Sequence, residues 1–209
     1  MKKICLLGYS GHGYVVAEII NLLKHNLVGY IDIEEKKYNP FNLPYWGNEN
    51  DINTEDLKKK NTGIVFGVGD NQLRKNIYTF FEEKGMLAET LIHPKAVISS
   101  AVSFADGIVV MASVVINPLA KIGVAAICNS GCVIEHECTI GDFTHIAPGA
   151  VLAGNVRVGN MSFVGANAVI KQGLTIGNNV IIGAGSVVIN DVPDNAVVYG
   201  NPAKIRKYA

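Results

Sequence analysis

The chain has 209 residues, room for one large or two small domains, and its 49% hydrophobic and 17% charged content excludes a disordered tail. Eighteen basic residues balance eighteen acidic ones, so net charge provides no footprint for nucleic acid or an anionic membrane; Lys204, Arg206 and Lys207 form one small basic patch. After Lys2 and Lys3 the apolar run is only about five residues, too short for a signal peptide, and no stretch approaches the roughly 20 apolar residues of a membrane span. Four cysteines without framework spacing lead us to expect a reducing compartment, the cytoplasm.

In chain order, Lys2–Leu7 reads as a strand, Gly8-Tyr-Ser-Gly11-His-Gly13 as a glycine turn and Tyr14–Lys24 as a helix. Leu27–Asp32 is a second strand. Asn39–Lys60, with two prolines and a lysine triplet, reads as loop plus a short helix. Gly63–Gly67 is a third strand opening into Gly69-Asp70-Asn71, followed by an amphipathic helix over Gln72–Lys84 and a last short strand over Leu87–Leu91.

Strand, glycine turn, helix and strand make a βαβ unit. Glycine lets the backbone approach a phosphate, and a helix N-terminus supplies N–H groups and partial positive charge. Asp32 lies 19 residues after Gly13, where a ribose-binding acid would sit. The spacing is GxxGxG, however, and such a turn can also be purely structural, so the motif alone leaves both readings open. Ninety residues hold one mononucleotide half only, which argues against an NAD-dependent oxidoreductase.

From Ile92 an aliphatic residue recurs every six positions: Ile92, Ile98, Phe104, Val110, Ile116, Ile122, Cys128, Ile134, Ile140, Ile146, Leu152, Val158, Val164, Ile170, Ile176, Ile182 and Val188. A second row, four residues after many of these, is small: Ala96, Ala120, Ala126, Thr144, Ala150, Ser162, Ala168 and Ser186. A period of six fits neither a helix nor a flat sheet. It fits coils of three short strands, about 18 residues each, stacked as a parallel β-helix of five to six coils. The hexad residues point inward, and small residues and glycines are expected to permit the tight corners.

Within this aliphatic solenoid Glu135-His136-Glu137 stands out. His136 falls two places after the inward Ile134 and should project outward. An imidazole can act as general base near neutral pH, and a neighbouring carboxylate can fix its tautomer and raise its basicity. A solvated surface histidine between two acids is the alternative. Gly154, one coil on, would leave room for a ligand. His145 lies half a coil from His136, so one chain should hold the two on different faces. Gly165-Ala166 and Gly183-Ala184, one coil apart, make a corner stripped of side chains along which a thioester arm could run; an ordinary solenoid corner has the same composition. Cys128 falls in the inward row and Cys132 and Cys138 in the small row, so all three read as core and neither a metal site nor a nucleophilic cysteine is expected.

The hexad array resembles that of the left-handed β-helix acyltransferases. The whole chain is similar to their bacterial sugar-acetyltransferase branch, which includes UDP-4-amino-sugar N-acetyltransferases and sialic-acid O-acetyltransferase-like proteins. The residues that carry the resemblance are GYSGHG at 8–13, GVGDNQLR at 67–74, LIHPKA at 91–96, VIEHECTIGDFTHIAPGA at 133–150 and GNPAK at 200–204. It implies an α/β half-Rossmann-like domain over 1–90, an all-β left-handed parallel β-helix over 91–192 and a C-terminal tail over 193–209. The left hand comes from the resemblance alone and departs from the usual right-handed crossover.

By position, the resemblance makes His136 the catalytic base and Glu137 the residue that enhances its basicity. It places Asn129 near the acceptor, His145 against acetyl-CoA, and Gly154, Ala166 and Ala184 along the cofactor arm. Ser10, Gly11, His12, Asp32, Ile33, Gly69, Asp70 and Asn71 match the nucleotide-sugar site, with Ile33 standing where relatives carry a second acid. The implied activity is N-acetylation, by acetyl-CoA, of the amino group of a nucleotide-linked sugar, in the first instance a UDP-4-amino-4,6-dideoxy sugar, with no metal. Within the class the alternative is O-acetylation of a sialic-acid-like sugar. From a different class, the alternative is a non-catalytic nucleotide-sugar scaffold. A homotrimer is expected.

Overall fold

In the computed structural model, which describes residues 1–48 and 52–208, the chain divides into two units, Met1–Pro94 and the chain from Lys95 onward. Unit 1 is built on a parallel sheet of β1 (Lys3–Leu7), β2 (Asn26–Ile31) and β3 (Thr62–Phe66) in the order β2-β1-β3. Ile4, Cys5, Leu6, Ile64 and Val65 are fully buried, so the central strand is covered on both faces, as parallel sheets require. Helices α1 (Gly11–Leu22), α2 (Thr54–Lys59) and α3 (Asn71–Glu83) complete the unit. All three strands end, at Leu7, Ile31 and Phe66, beside the loops that carry the motif residues.

Two boundaries differ from the sequence reading. Helix α1 begins at Gly11, not Tyr14, with Ser10 as its N-cap residue. Glycine's low helix propensity suggests a turn over 11–13, but a Cβ on Gly13 would sit 2.4 Å from the Gly8 carbonyl oxygen. Close packing of the first helical turn on the end of β1 therefore demands the glycine. The expected strand over Leu87–Leu91 reduces to one bridge, Ile64 with Ala88, and a two-residue strand at Leu91–Ile92. The expected short helix is present as α2; residues 49–51 of the loop preceding it lie outside the described residues. Trp46 covers β2: a Cβ on Gly29 would lie 2.6 Å from its Nε1.

Unit 2 is a solenoid. Each hexad residue from Ile98 to Val188 is the second member of a two-residue strand. Strands pair with partners 18 residues away, as in Ile127 with His145, Val133 with Val151 and Thr139 with Arg157. This creates three parallel sheets, one per face, and the face that begins at Val97–Ile98 carries six strands. From Val110 through Val188 every hexad residue is buried, each burial worth about 1.5–3 kcal/mol for an aliphatic side chain. The register ends there: Ala196–Gly200 pairs with Ile181–Ile182 at a spacing of 16, then turns back antiparallel as Ala203–Tyr208.

The corners work differently from the expectation. The left-handed backbone falls three residues after each hexad position from Phe104 to Ile182, at Gly107, Ser113, Leu119, Ala125, Gly131, Glu137, Phe143, Gly149, Asn155, Met161, Asn167, Gly173, Asn179 and Gly185. Most of these are not glycine; inter-coil hydrogen bonds such as Glu137 N to Pro118 O and Phe143 N to Val124 O hold them there. The glycines directly after hexad residues instead permit close stacking. A Cβ on Gly159 would lie 2.6 Å from the Gly177 carbonyl carbon. Gly159→Ala is therefore expected to destabilise the fold by about 1–3 kcal/mol, because backbone of the next coil cannot yield. A denaturation midpoint equal to wild type would contradict this. Among the described residues no helix is long and apolar enough to cross a membrane.

Candidate active site

His136 and Glu137 sit at the corner after the Val133–Ile134 strand. The corner is pinned from both neighbouring coils: Glu137 N donates to Pro118 O, and Asn155 N donates to His136 O at 2.8 Å. Glu137 adopts φ 62°, and its Oε2 lies 3.0 Å from His136 Nδ1. An ionised carboxylate can only accept, so Nδ1 carries a proton, and in the neutral imidazole the lone pair is on Nε2. Both side chains are more than half exposed, at 59% and 56%. The space at Gly154 is taken by His136 itself: a Cβ there would lie 2.5 Å from Cε1 and Nε2. Glycine at 154 thus admits the imidazole ring rather than holding an empty slot. Glu135, on the other side, accepts from Asn117 Nδ2 at 2.9 Å, one coil below.

His145 opens a strand on a different face from the strand that precedes His136. It is 8% exposed, lies edge-on to Phe163 at 5.1 Å between ring centres, and meets Asn129 at 3.0 Å between Nε2 and Nδ2. Because Asn129 Oδ1 accepts from Ser130 N, its amide nitrogen faces the imidazole, and His145 Nε2 is the acceptor. The structure therefore joins Asn129 to His145 and keeps His136 on another corner. Ala166 and Ala184 stack one coil apart, with Gly185 N donating to Ala166 O at 2.8 Å. The glycine before each is occupied: Gly165 faces Ala184 N and Gly183 faces Tyr199. Only the alanine half of that corner is open.

Cys128, Cys132 and Cys138 are all buried. A hydrogen bond to Cys132, then burial, raises the Cys128 thiol, and burial raises that of Cys138. Thiols so held are core, not nucleophiles.

In unit 1 a cavity of about 320 Å³ opens at the C-terminal ends of the strands. Of the motif residues, Ser10, Asp32, Ile33, Gly69 and Asp70 line it; Gly11, His12 and Asn71 do not. A Cβ on Gly11 would meet nothing within 4 Å, whereas Gly8, Gly13 and Gly67 pack against one another. Asp32 is held by Tyr9 N and Ile33 N, each at 2.8 Å, and by Lys36 Nζ at 2.8 Å. The sequence reading missed Lys36, Gly67, Val68 and Leu73, which also line the cavity. Lys36 gave no periodic or motif signal; only the fold of the loop returns it to Asp32. That loop is clamped by tyrosines: Tyr9 stacks on Tyr30 at 4.4 Å and donates to Asn39 Oδ1, and Tyr45 donates to Asp32 O. A larger hollow of about 540 Å³ lies at the other end of the strands among Lys2, Lys3, Lys58 and Lys60 and contains no motif residue.

Arg74, next in α3 to the cavity-lining Leu73, is fully buried. Its guanidinium donates to the carbonyls of Val68, Gly69 and Asp70 and to Asn71 Oδ1. Burial lowers its pKa to about 10, against the opposing pull of Asp70. Burial and then the Arg74 charge lower His12 to about 4, so His12 is neutral at physiological pH.

The PglD N-terminal domain family matches residues 3–81, and the bacterial transferase hexapeptide family, six repeats, matches residues 155–190. The curated UDP-N-acetylbacillosamine N-acetyltransferase of Bacillus subtilis is 34% identical over 118 residues, covering 54% of this chain and 52% of the relative, so the alignment spans about half that relative's length. PerB from Caulobacter crescentus, solved in complex with CoA and GDP-perosamine, is 34% identical, with a TM-score of 0.91 over 99% of this chain and 98% of its own. The acetyltransferase domain of PglB from Neisseria gonorrhoeae FA1090, in complex with acetyl coenzyme A, is 33% identical, with a TM-score of 0.89 over 98% and 99%. The shared solenoid and the shared N-terminal unit, matched over nearly the full length of both solved proteins, establish that this chain belongs to the left-handed β-helix, hexapeptide-repeat sugar acetyltransferase family.

Proposed function

We propose that the chain transfers the acetyl group of acetyl-CoA to the amino group of a nucleotide-linked sugar, a UDP-4-amino-4,6-dideoxy sugar in the first instance. The observation that carries this reading is the near full-length match to PerB, whose complex contains CoA and GDP-perosamine. The His136–Glu137 pair supports it chemically. Nε2 of His136 takes the amine proton as the nitrogen attacks the thioester carbonyl. The C–N bond forms, the oxyanion is met by backbone N–H groups, and collapse breaks the C–S bond. The proton on Nε2 then passes to the departing CoA thiolate, itself a good leaving group. No covalent enzyme intermediate is needed, and holding both substrates in one cleft supplies much of the rate.

The nucleotide part falls to the cavity of unit 1, with Ser10, Asp32, Ile33, Gly69 and Asp70 from its lining and Gly11, His12 and Asn71 from the adjoining chain as the recognition elements. The placement of His136 and His145 on different faces supports a cyclic trimer in which a second copy brings His145 to the cleft of the first. Asn129, Gly154, Ala166 and Ala184 then follow the cofactor arm and acceptor.

The deciding experiment measures CoA release with amino sugars linked to UDP, dTDP, GDP or CMP, and with a sialic-acid-like hydroxyl acceptor. N-acetylation of one nucleotide amino sugar is expected. Turnover of the hydroxyl acceptor alone would transfer the reading to O-acetylation, and no turnover with any would leave a binding scaffold. Sedimentation is expected to give three copies of the 22.4 kDa chain; a monomer would reject the shared site.

A further inference from the structure

The cavity of unit 1 is lined by two acids, Asp32 and Asp70, and among the described residues Lys36 is the one basic residue on its wall. A nucleotide sugar brings a further negative charge on each phosphate. Charge taken out of water needs a partner where it comes to rest, so the carboxylates already present have to be answered first. Asp70 is engaged as the N-cap of α3, where it accepts from Leu73 N at 2.8 Å.

Asp32 is engaged more fully. Its Oδ2 accepts from Tyr9 N and its Oδ1 from Ile33 N, each at 2.8 Å, and Lys36 Nζ meets Oδ1 at 2.8 Å. The bond from Tyr9 N ties the Asp32–Lys36 pair to the glycine turn of residues 8–13, whose Gly8 and Ser10 line the same cavity. Ser10 is the N-cap residue of α1, with no side-chain cap bond and no acid in the first turn, so this helix end keeps its partial positive charge. A lysine and a helix start are thus joined through Tyr9 at one cavity.

Lys36 is held in place. Its backbone N donates to the hydroxyl of Tyr30 at 2.8 Å, and Tyr30 is fully buried. Its side chain is 22% exposed. The bond to the Asp32 carboxylate raises its pKa, so the ammonium stays charged at physiological pH. An ammonium carries three N–H donors. One directed at Asp32 leaves others for a ligand, and Glu34, the second acid near Nζ, stands at 3.7 Å with its side chain 75% exposed.

We infer that Lys36 is a binding residue for the diphosphate of the nucleotide sugar: it cancels the charge of Asp32 and offers its remaining N–H donors to phosphate oxygens beside the glycine turn. The inference rests on the nucleotide-sugar reading above. Without Lys36, Asp32 keeps its two backbone donors, so the carboxylate stays bonded, but its charge then meets the phosphates uncancelled. A neutral nucleoside carries no such charge, and its binding is independent of Lys36. Lys36 therefore separates recognition of the anionic part of the ligand from recognition of base and ribose.

Calorimetric titration of the full chain with UDP, GDP, dTDP and CDP, and with the matching nucleosides, tests this alongside steady-state kinetics. Lys36→Met is expected to weaken diphosphate binding by about 10-fold or more and to leave nucleoside binding within about twofold. The KM for nucleotide sugar rises with it, while the KM for acetyl-CoA stays within about twofold. Lys36→Arg, which keeps the charge, is expected to stay within about threefold of wild type for the diphosphate.

Wild-type diphosphate affinity in a folded Lys36→Met chain overturns the inference. An equal loss for diphosphate and nucleoside overturns it too, because the effect would then lie on the ribose or the fold. If circular dichroism shows that Lys36→Met fails to fold, Lys36→Gln, which can still donate to Asp32 without a charge, decides by the same comparison. If wild type binds none of the four diphosphates, the nucleotide-sugar reading fails and this inference fails with it.

Discussion

Replacing His136 with asparagine is expected to cut turnover by about 100-fold or more while leaving substrate affinity nearly unchanged. Asparagine is close to imidazole in size, and its amide can still face Glu137, so the corner between the Pro118 and Asn155 hydrogen bonds keeps its shape. What disappears is the Nε2 lone pair, the group that would take the proton during C–N bond formation. The effect belongs in kcat, not KM, because the proton moves only in the transition state. Glu137→Gln is expected to act in the same direction but less strongly, since glutamine can still touch Nδ1 without holding a full negative charge beside it. Both substrates are titrated separately, with CoA release as the readout. Turnover of His136→Asn near the wild-type value would remove His136 from the mechanism and leave Glu135 and the backbone as the remaining candidates at that corner.

The second large effect separates two glycines of the same motif. Gly11→Val is expected to raise the KM for nucleotide sugar by about 10-fold or more and to leave that for acetyl-CoA within about twofold. A Cβ at Gly11 would meet nothing within 4 Å, and the helix-propensity change is about a few tenths of a kcal/mol, so little loss of stability is expected. Gly13→Ala is the opposite case. Its Cβ would lie 2.4 Å from Gly8 O, so it is expected to destabilise unit 1 by about 1–3 kcal/mol. Thermal melts and nucleotide titrations on both variants check the separation. An unchanged sugar KM in Gly11→Val would mean that the nucleotide does not approach the start of α1, and tighter binding of NAD than of any nucleotide sugar would reject the site as read.

The hexad row illustrates what sequence can determine. A period of six, kept from Ile92 to Val188, leaves one geometry in which every aliphatic residue is buried, because burial of the whole row fails with a slip of one position. The coil length of 18, the three faces and the separation of His136 from His145 all follow from counting in that register. The βαβ order was legible for the same kind of reason, since β-rich runs and glycines alternate with a helical period. A candidate general base was suggested by a charged triplet where the pattern otherwise supplies aliphatic and small residues, and acetyl chemistry came from the family resemblance.

Tertiary structure decided what depends on contacts between distant residues. Phe143 and Met161 carry left-handed backbone, which no local preference announces; hydrogen bonds to the coil below outweigh the local cost of about 1 kcal/mol or more. Gly154 looked like a vacancy, but the imidazole of His136 fills it, because the two stack across a coil. Arg74 falls inside an amphipathic helical pattern, where a polar residue is expected in solvent; the loop of residues 68–71 folds its carbonyls around the guanidinium and makes burial tolerable. Lys36 reaches Asp32 only because tyrosines clamp the intervening loop. Local periodicity determines which face each residue presents, while the identity of its neighbour on that face is set by the packing of chain segments far apart in sequence.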